Sequence, residues 1–102
     1  MTNLPCGVLN VRKLPITVQA VEWTGGNLAQ VQEFTGADKF LSMSDDGHRR
    51  AQGFTALVFD HLHQEWIPLR DRDLVMRGVD GEHYPCERGV FDRTYQVDGV
   101  AA

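Results

Sequence analysis

The sequence predicts an α+β domain: a small, mainly antiparallel sheet of four to six strands with one short helix packed on one face. Three observations carry this expectation. Short runs alternate apolar and polar residues with a period of two. An Asp-Gly pair, Asp80-Gly81, sits between two such runs as a hairpin centre. No helical pattern is long enough to serve as the crossover that parallel strands need. With 102 residues, 42% of them hydrophobic and 24% charged, the chain has the size of one domain and the means for one modest core.

Residues 1–10 include Pro5, Gly7 and Asn10 without periodicity and read as a flexible leader; residues 11–97 form the domain and 98–102 a frayed tail. The first strand is expected over Ile16–Trp23, with Ile16, Val18 and Ala20 on one face, Thr17 and Gln19 on the other, and Pro15 at its start. Thr24-Gly25-Gly26 ends that strand. Asn27, with Gln30 three residues on, then opens a helix whose face is Leu28, Val31 and Phe34 and whose stop is Gly36. A helix this short persists only by docking that face.

Phe40–Met43 reads as a short strand and Ser44–Gly53 as a mobile loop. Phe54–Phe59, apolar on both faces, reads as a central strand. Glu65–Leu69 pairs with it as a hairpin, with Pro68 confining the second strand to an edge. Leu74–Cys86 is a hairpin around Asp80 and Gly81 in a type I′ turn. Val79 then faces Glu82, Arg77 faces Tyr84 and Val75 faces Cys86, all on one side. Gly89–Arg93 suggests one helical turn, and Tyr95–Val97 a closing strand.

A net charge of −4, with basic residues interleaved among acids as in Arg70-Asp71-Arg72-Asp73, argues against nucleic-acid binding by bulk charge. No stretch approaches the roughly 18–20 apolar residues of a membrane span, and the first residues lack the pattern of a secretory signal. Cys6 and Cys86, 80 residues apart, are expected as reduced thiols. His61 and His63 at i, i+2, with His83 or Cys86, are weak candidates for a metal, and their spacing fits no familiar zinc pattern. Asp45-Asp46 reads as a solvated loop pair. Cys86 has His83 three residues away, on the opposite strand face, so it reads as a packed thiol rather than a nucleophile.

No catalytic constellation and no cofactor are implied. The candidate ligand-binding group is Arg77, Glu82 and Tyr84, a guanidinium, a carboxylate and a phenol on one face, flanked by Trp23 and Trp66. The competing reading is a structural pairing of Arg77 with Glu82, and core lids for the two tryptophans.

Two separated motifs carry a family resemblance. Arg12-Lys13-Leu14-Pro15-Ile16 with Ala20-Val21-Glu22-Trp23-Thr24-Gly25 resembles the opening of a family of small phage and prophage proteins. Met76-Arg77-Gly78-Val79-Asp80-Gly81-Glu82-His83-Tyr84-Pro85-Cys86 followed by Phe91-Asp92-Arg93-Thr94-Tyr95 resembles its far end. The chain departs from the pattern where Asp71-Arg72-Asp73-Leu74 replaces Pro-Gly-Asp-Trp, which removes a glycine from that corner. The resemblance implies a phage or prophage origin and cytoplasmic production in a bacterial host, and brings no activity or catalytic residue with it. The expected function is a non-catalytic binding module for a protein partner or a small anionic ligand. The alternatives are a small hydrolase or transferase with its site between subunits, and a minor phage particle or assembly component. A short chain with an exposed sheet edge hides it by pairing, so a homodimer is expected.

Overall fold

The computed structural model describes residues 6–43 and 52–100. The element order is β1 (Gln19–Glu22), α1 (Leu28–Thr35), β2 (Phe40–Ser42), β3 (Phe54–Asp60), β4 (Glu65–Arg70), β5 (Leu74–Arg77), β6 (His83–Cys86) and α2 (Arg88–Thr94). Every strand pairing is antiparallel, and the class is α+β. The strands divide into two three-stranded sheets, β1-β5-β6 and β2-β3-β4.

Residue alternation on β5 explains the layering. Val75 joins Trp23, Val31, Phe40, Ala56, Val58 and Leu69 in a core between the two sheets, whereas Leu74 and Met76 point the other way onto Phe91 of α2. The molecule is therefore stacked as α2, the β1-β5-β6 sheet, a core shared with α1, and the β2-β3-β4 sheet. Each large side chain so buried contributes roughly 1.5–3 kcal/mol before entropy is counted.

Several elements match their sequence patterns. Phe54–Asp60 is the central strand of its sheet, β4 with Pro68 is an edge, and α1 docks Val31 with Leu28 and Phe34 beside it. Gly36 ends α1 at φ 105°, a conformation open to glycine. Asn27 works differently from the expected capping box. Its amide donates to the Glu22 carbonyl (2.8 Å) and to Gln30 Oε1 (2.6 Å), and its Oδ1 accepts from Thr24, so it ties the helix start to the end of β1.

Three expectations are corrected. The first strand is only Gln19–Glu22, and its core-facing residues are Val21 and Trp23 rather than Ile16, Val18 and Ala20. Val21 lies opposite Val75, and cross-strand partners share a face; Val18 on the other face packs toward Phe91. Tyr95–Val97 forms no strand: Tyr95 follows α2 and stacks on Phe91 with ring centroids 5.4 Å apart.

The third correction is the hairpin register. Arg77 pairs with His83, Met76 with Tyr84, Val75 with Pro85 and Leu74 with Cys86. A type I′ turn needs positive φ at both central residues, and here only Gly81 adopts it (φ 81°). Gly81 N–H bonds to the Gly78 carbonyl (3.0 Å) and Gly78 N–H to the Glu82 carbonyl (2.8 Å), closing a loop one residue longer. A one-residue shift sends side chains to opposite faces.

The corner without glycine still forms. Arg72 takes φ 79°, its N–H donates to the Trp23 carbonyl (2.6 Å), and buried Asp73 accepts from the N–H groups of Arg70 (2.9 Å) and Arg88 (3.0 Å). Asp45 and Asp46 lie outside the described residues, as does most of their loop. Cys6 and Cys86 are both free thiols. Among the described residues, no helix is long and apolar enough to cross a membrane.

Candidate functional site

The register separates Arg77, Glu82 and Tyr84. Arg77 lies on the face toward α1, its guanidinium 4.2 Å over the Phe34 ring. Nε donates to His83 Nε2 (3.2 Å), Nη1 to Gln19 Oε1 (2.9 Å) and Nη2 to the Phe34 carbonyl (2.5 Å), one of the last carbonyls of α1. Arg77 is thus a cross-element clamp whose three nitrogens are all engaged. Glu82 instead accepts from the Asp80 N–H (3.0 Å) inside the turn. Tyr84 is on the α2 side, where burial, and then its hydrogen bond with Tyr95, push the phenol up to about 12. Trp23 is a core residue, its indole N–H given to Thr55 Oγ1 (2.8 Å).

The histidines also part. His63 lies in the β3–β4 turn with Nδ1 3.0 Å from Asp60 Oδ2, and that bond, with the charge of Asp60, raises its pKa. Burial alone would raise the Asp60 carboxyl. The hydrogen bonds from the His63 ring and from the His63 and Leu62 N–H groups outweigh it and hold the carboxyl low. His61 and His83 approach to 5.8 Å between ring centroids. His83 is buried, its Nδ1 has no hydrogen-bond partner among the described residues, and burial, then Arg77 and His61, lower its pKa. Among the described residues, no three or more His, Cys, Asp or Glu are grouped to hold a metal.

A cleft between β4 and β6 is bounded by Phe54, Ile67, Pro68, Arg70, Cys86 and Glu87 and encloses about 170 Å³. That is below the roughly 300 Å³ at which small-molecule pockets begin. Burial, then Asp73 and Glu87, raise the Cys86 thiol, which disfavours the thiolate that nucleophilic chemistry requires.

The feature with the character of a binding site is the outer face of the β2-β3-β4 sheet. Register places Leu41 beside Leu57, Leu57 beside Pro68, and Phe59 beside Trp66. These five apolar side chains share the face turned away from the core, whose own residues are the alternate ones, Phe40, Val58 and Leu69. Both helices among the described residues are committed elsewhere, α1 through Val31 and α2 through Phe91. Leu41 and Trp66 are 43% and 38% exposed. Phe59 and Trp66 meet edge to face at 5.6 Å, Lys39 sits 4.5 Å over Phe59, and the His61 ring meets Phe59 edge to face at 5.4 Å. Of the sequence candidates only Trp66 lies here. Leu57 and Phe59 escape sequence reasoning because an apolar strand reads as covered on both sides.

Compared with family models, curated proteins and solved structures, the chain matches none of them.

Proposed function

We propose that this protein is a non-catalytic, phage- or prophage-derived binding module that takes an apolar segment of a protein partner on the outer face of the β2-β3-β4 sheet. The observation that carries this is the set Leu41, Leu57, Phe59, Trp66 and Pro68 on a sheet face to which neither described helix is committed. Contiguous exposed apolar surface of this kind marks interaction sites, and aromatic residues supply much of the energy there. A protein partner is favoured over a small anion because the donors of Arg77 are already spent inside the fold. The two end motifs, similar to those of small phage and prophage proteins, support that origin and a bacterial cytoplasm as the setting.

The test is photo-crosslinking in a bacterial host, with a photoreactive phenylalanine at position 41 or 66 and a control at Val90, an exposed apolar residue of α2. Protein adducts at 41 and 66 and none at 90 are expected. No adduct, or equal adducts at all three, would overturn the reading.

A further inference from the structure

We infer that His61 and His83 form an acid-operated latch between the two sheets, which opens one end of the sandwich when the imidazoles take up protons. The pair sits where β3 and β6, strands of different sheets, come together. His61 N–H donates to the His83 carbonyl and His83 N–H donates to His61 Nδ1, each at 3.4 Å. The His83 ring also meets Phe34 of α1 edge to face at 5.4 Å and accepts from Arg77 Nε at 3.2 Å. One buried histidine thus engages both sheets and the helix.

Both rings work as acceptors, and a proton removes that capacity. A guanidinium only donates, so His83 Nε2 carries no hydrogen while it accepts from Arg77. The same holds for His61 Nδ1, which accepts from the His83 N–H. Protonating either nitrogen turns a hydrogen bond into two opposed donors. It also sets an imidazolium beside the Arg77 guanidinium, and a second one with its centroid 5.8 Å from the first. The buried Nδ1 of His83, which carries the hydrogen of the neutral ring, has no hydrogen-bond partner among the described residues. The charged ring therefore gains no acceptor there.

The surrounding groups do not compensate. β5 presents Arg77, and β1 the neutral Gln19 amide, which Arg77 holds. α1 offers the Phe34 carbonyl, already shared with Arg77 Nη2. The β5–β6 turn brings Glu82, whose carboxylate is occupied by the Asp80 N–H (3.0 Å). In the β3–β4 turn, Asp60 is committed to the His63 ring and to the Leu62 and His63 N–H groups. Lys39 adds a cation over the Phe59 ring, which His61 meets edge to face. Glu82 and the Phe34 carbonyl favour a charged His83, yet burial, Arg77 and His61 outweigh them.

The other end of the sandwich is closed without an imidazole. Thr55 lies six residues before His61, roughly 20 Å away along β3. There Trp23 gives its indole N–H to Thr55 Oγ1 (2.8 Å), which donates in turn to Asp71 (2.6 Å). Acid therefore opens the histidine end and leaves the tryptophan end as the hinge.

Residue-resolved amide hydrogen exchange of the full chain at about pH 7.5 and about pH 5.5, corrected for intrinsic rates, tests this. An imidazole that takes up its proton only on opening lowers protection about ten-fold one pH unit below its ordinary value of about 6.5, and two lower it about a hundred-fold. The His61 and His83 amides should lose protection within that range on acidification. Those of Trp23 and Arg72, bonded at the other end, should change by less than about two-fold. His61→Asn with His83→Gln keeps an acceptor in each place without a titrating ring, so its protection should be equal at both pH values. His63→Asn should respond as the wild type does. Unchanged protection in the wild type, equal loss at both ends, a response that survives the double variant, or one that disappears with His63 would overturn the inference. The wild-type and His63→Asn measurements decide it even where the double variant does not fold.

Discussion

Arg77 shows how strand register sets the surroundings of a side chain: the sequence pattern places it beside Tyr84 and Glu82, and the structure places it beside His83, Gln19 and the Phe34 carbonyl. Its guanidinium holds β1, β5, β6 and the end of α1 together. Arg77→Ala leaves a helix carbonyl and Gln19 without their donor and should cost about 1–3 kcal/mol in urea unfolding. Crosslinking from position 66 should be unchanged in that variant, provided it is measured where the protein is folded. The imidazoles give a second prediction. His83 is depressed by burial, then by Arg77 and His61, despite the opposing Phe34 carbonyl and Glu82. Its contribution to stability is therefore complete above the ordinary value of 6.5 and lost as pH falls through its folded value. His63 has the opposite sign: raised by Asp60, it contributes below 6.5 and the benefit fades as pH rises. Replacing His63 with Asn should expose the His83 trend, a urea midpoint that drops between about pH 7 and about pH 5. A flat profile in that variant would refute the role given to buried His83.

Among the elements, two turns show opposite solutions to the same backbone requirement. Gly81 takes φ 81° with open space where a Cβ would stand, so Gly81→Ala should lower stability by about 1–2 kcal/mol through conformation alone. Arg72 holds φ 79° with a side chain that strains this conformation, and Arg72→Gly should raise the unfolding free energy measured in urea, by up to about 1 kcal/mol after the added freedom of the unfolded chain is counted. Helix α1, central β3 and edge β4 were legible because each depends on local pattern: Val31 and Phe34 on one helical face, an unbroken apolar run over Phe54–Phe59, and Pro68. The β5–β6 register was not legible. Asp-Gly favours a two-residue turn, yet the chain uses Gly81 alone in the left-handed region, and that choice moved Tyr84 away from Arg77.

For the whole molecule, the decisive residue is Trp23. It is 2% exposed, packs edge to face on Phe40 at 5.1 Å, and links through Thr55 to Asp71 (2.6 Å) at the corner before β5. Trp23→Ala should cost about 3–5 kcal/mol, a large share of the roughly 5–15 kcal/mol that stabilises a domain. Trp66→Ala on the outer face should cost much less in the isolated protomer, a contrast that thermal unfolding at low concentration would measure. The candidate face was half visible: Trp66 stood out as an aromatic, while Leu57 and Phe59 looked like core.

The sequence by itself determined the α+β class, the antiparallel pairing, the place of the helix and the apolar character of each strand, because these follow from local periodicity and turn chemistry. Only the tertiary structure decided that the strands split into two sheets, that Arg77 meets His83, and that one apolar face is turned away from both described helices. Local pattern states which side chains avoid water. Which surface covers which is set by the register of distant strands and by the direction in which each helix is committed, and neither is written in any one segment.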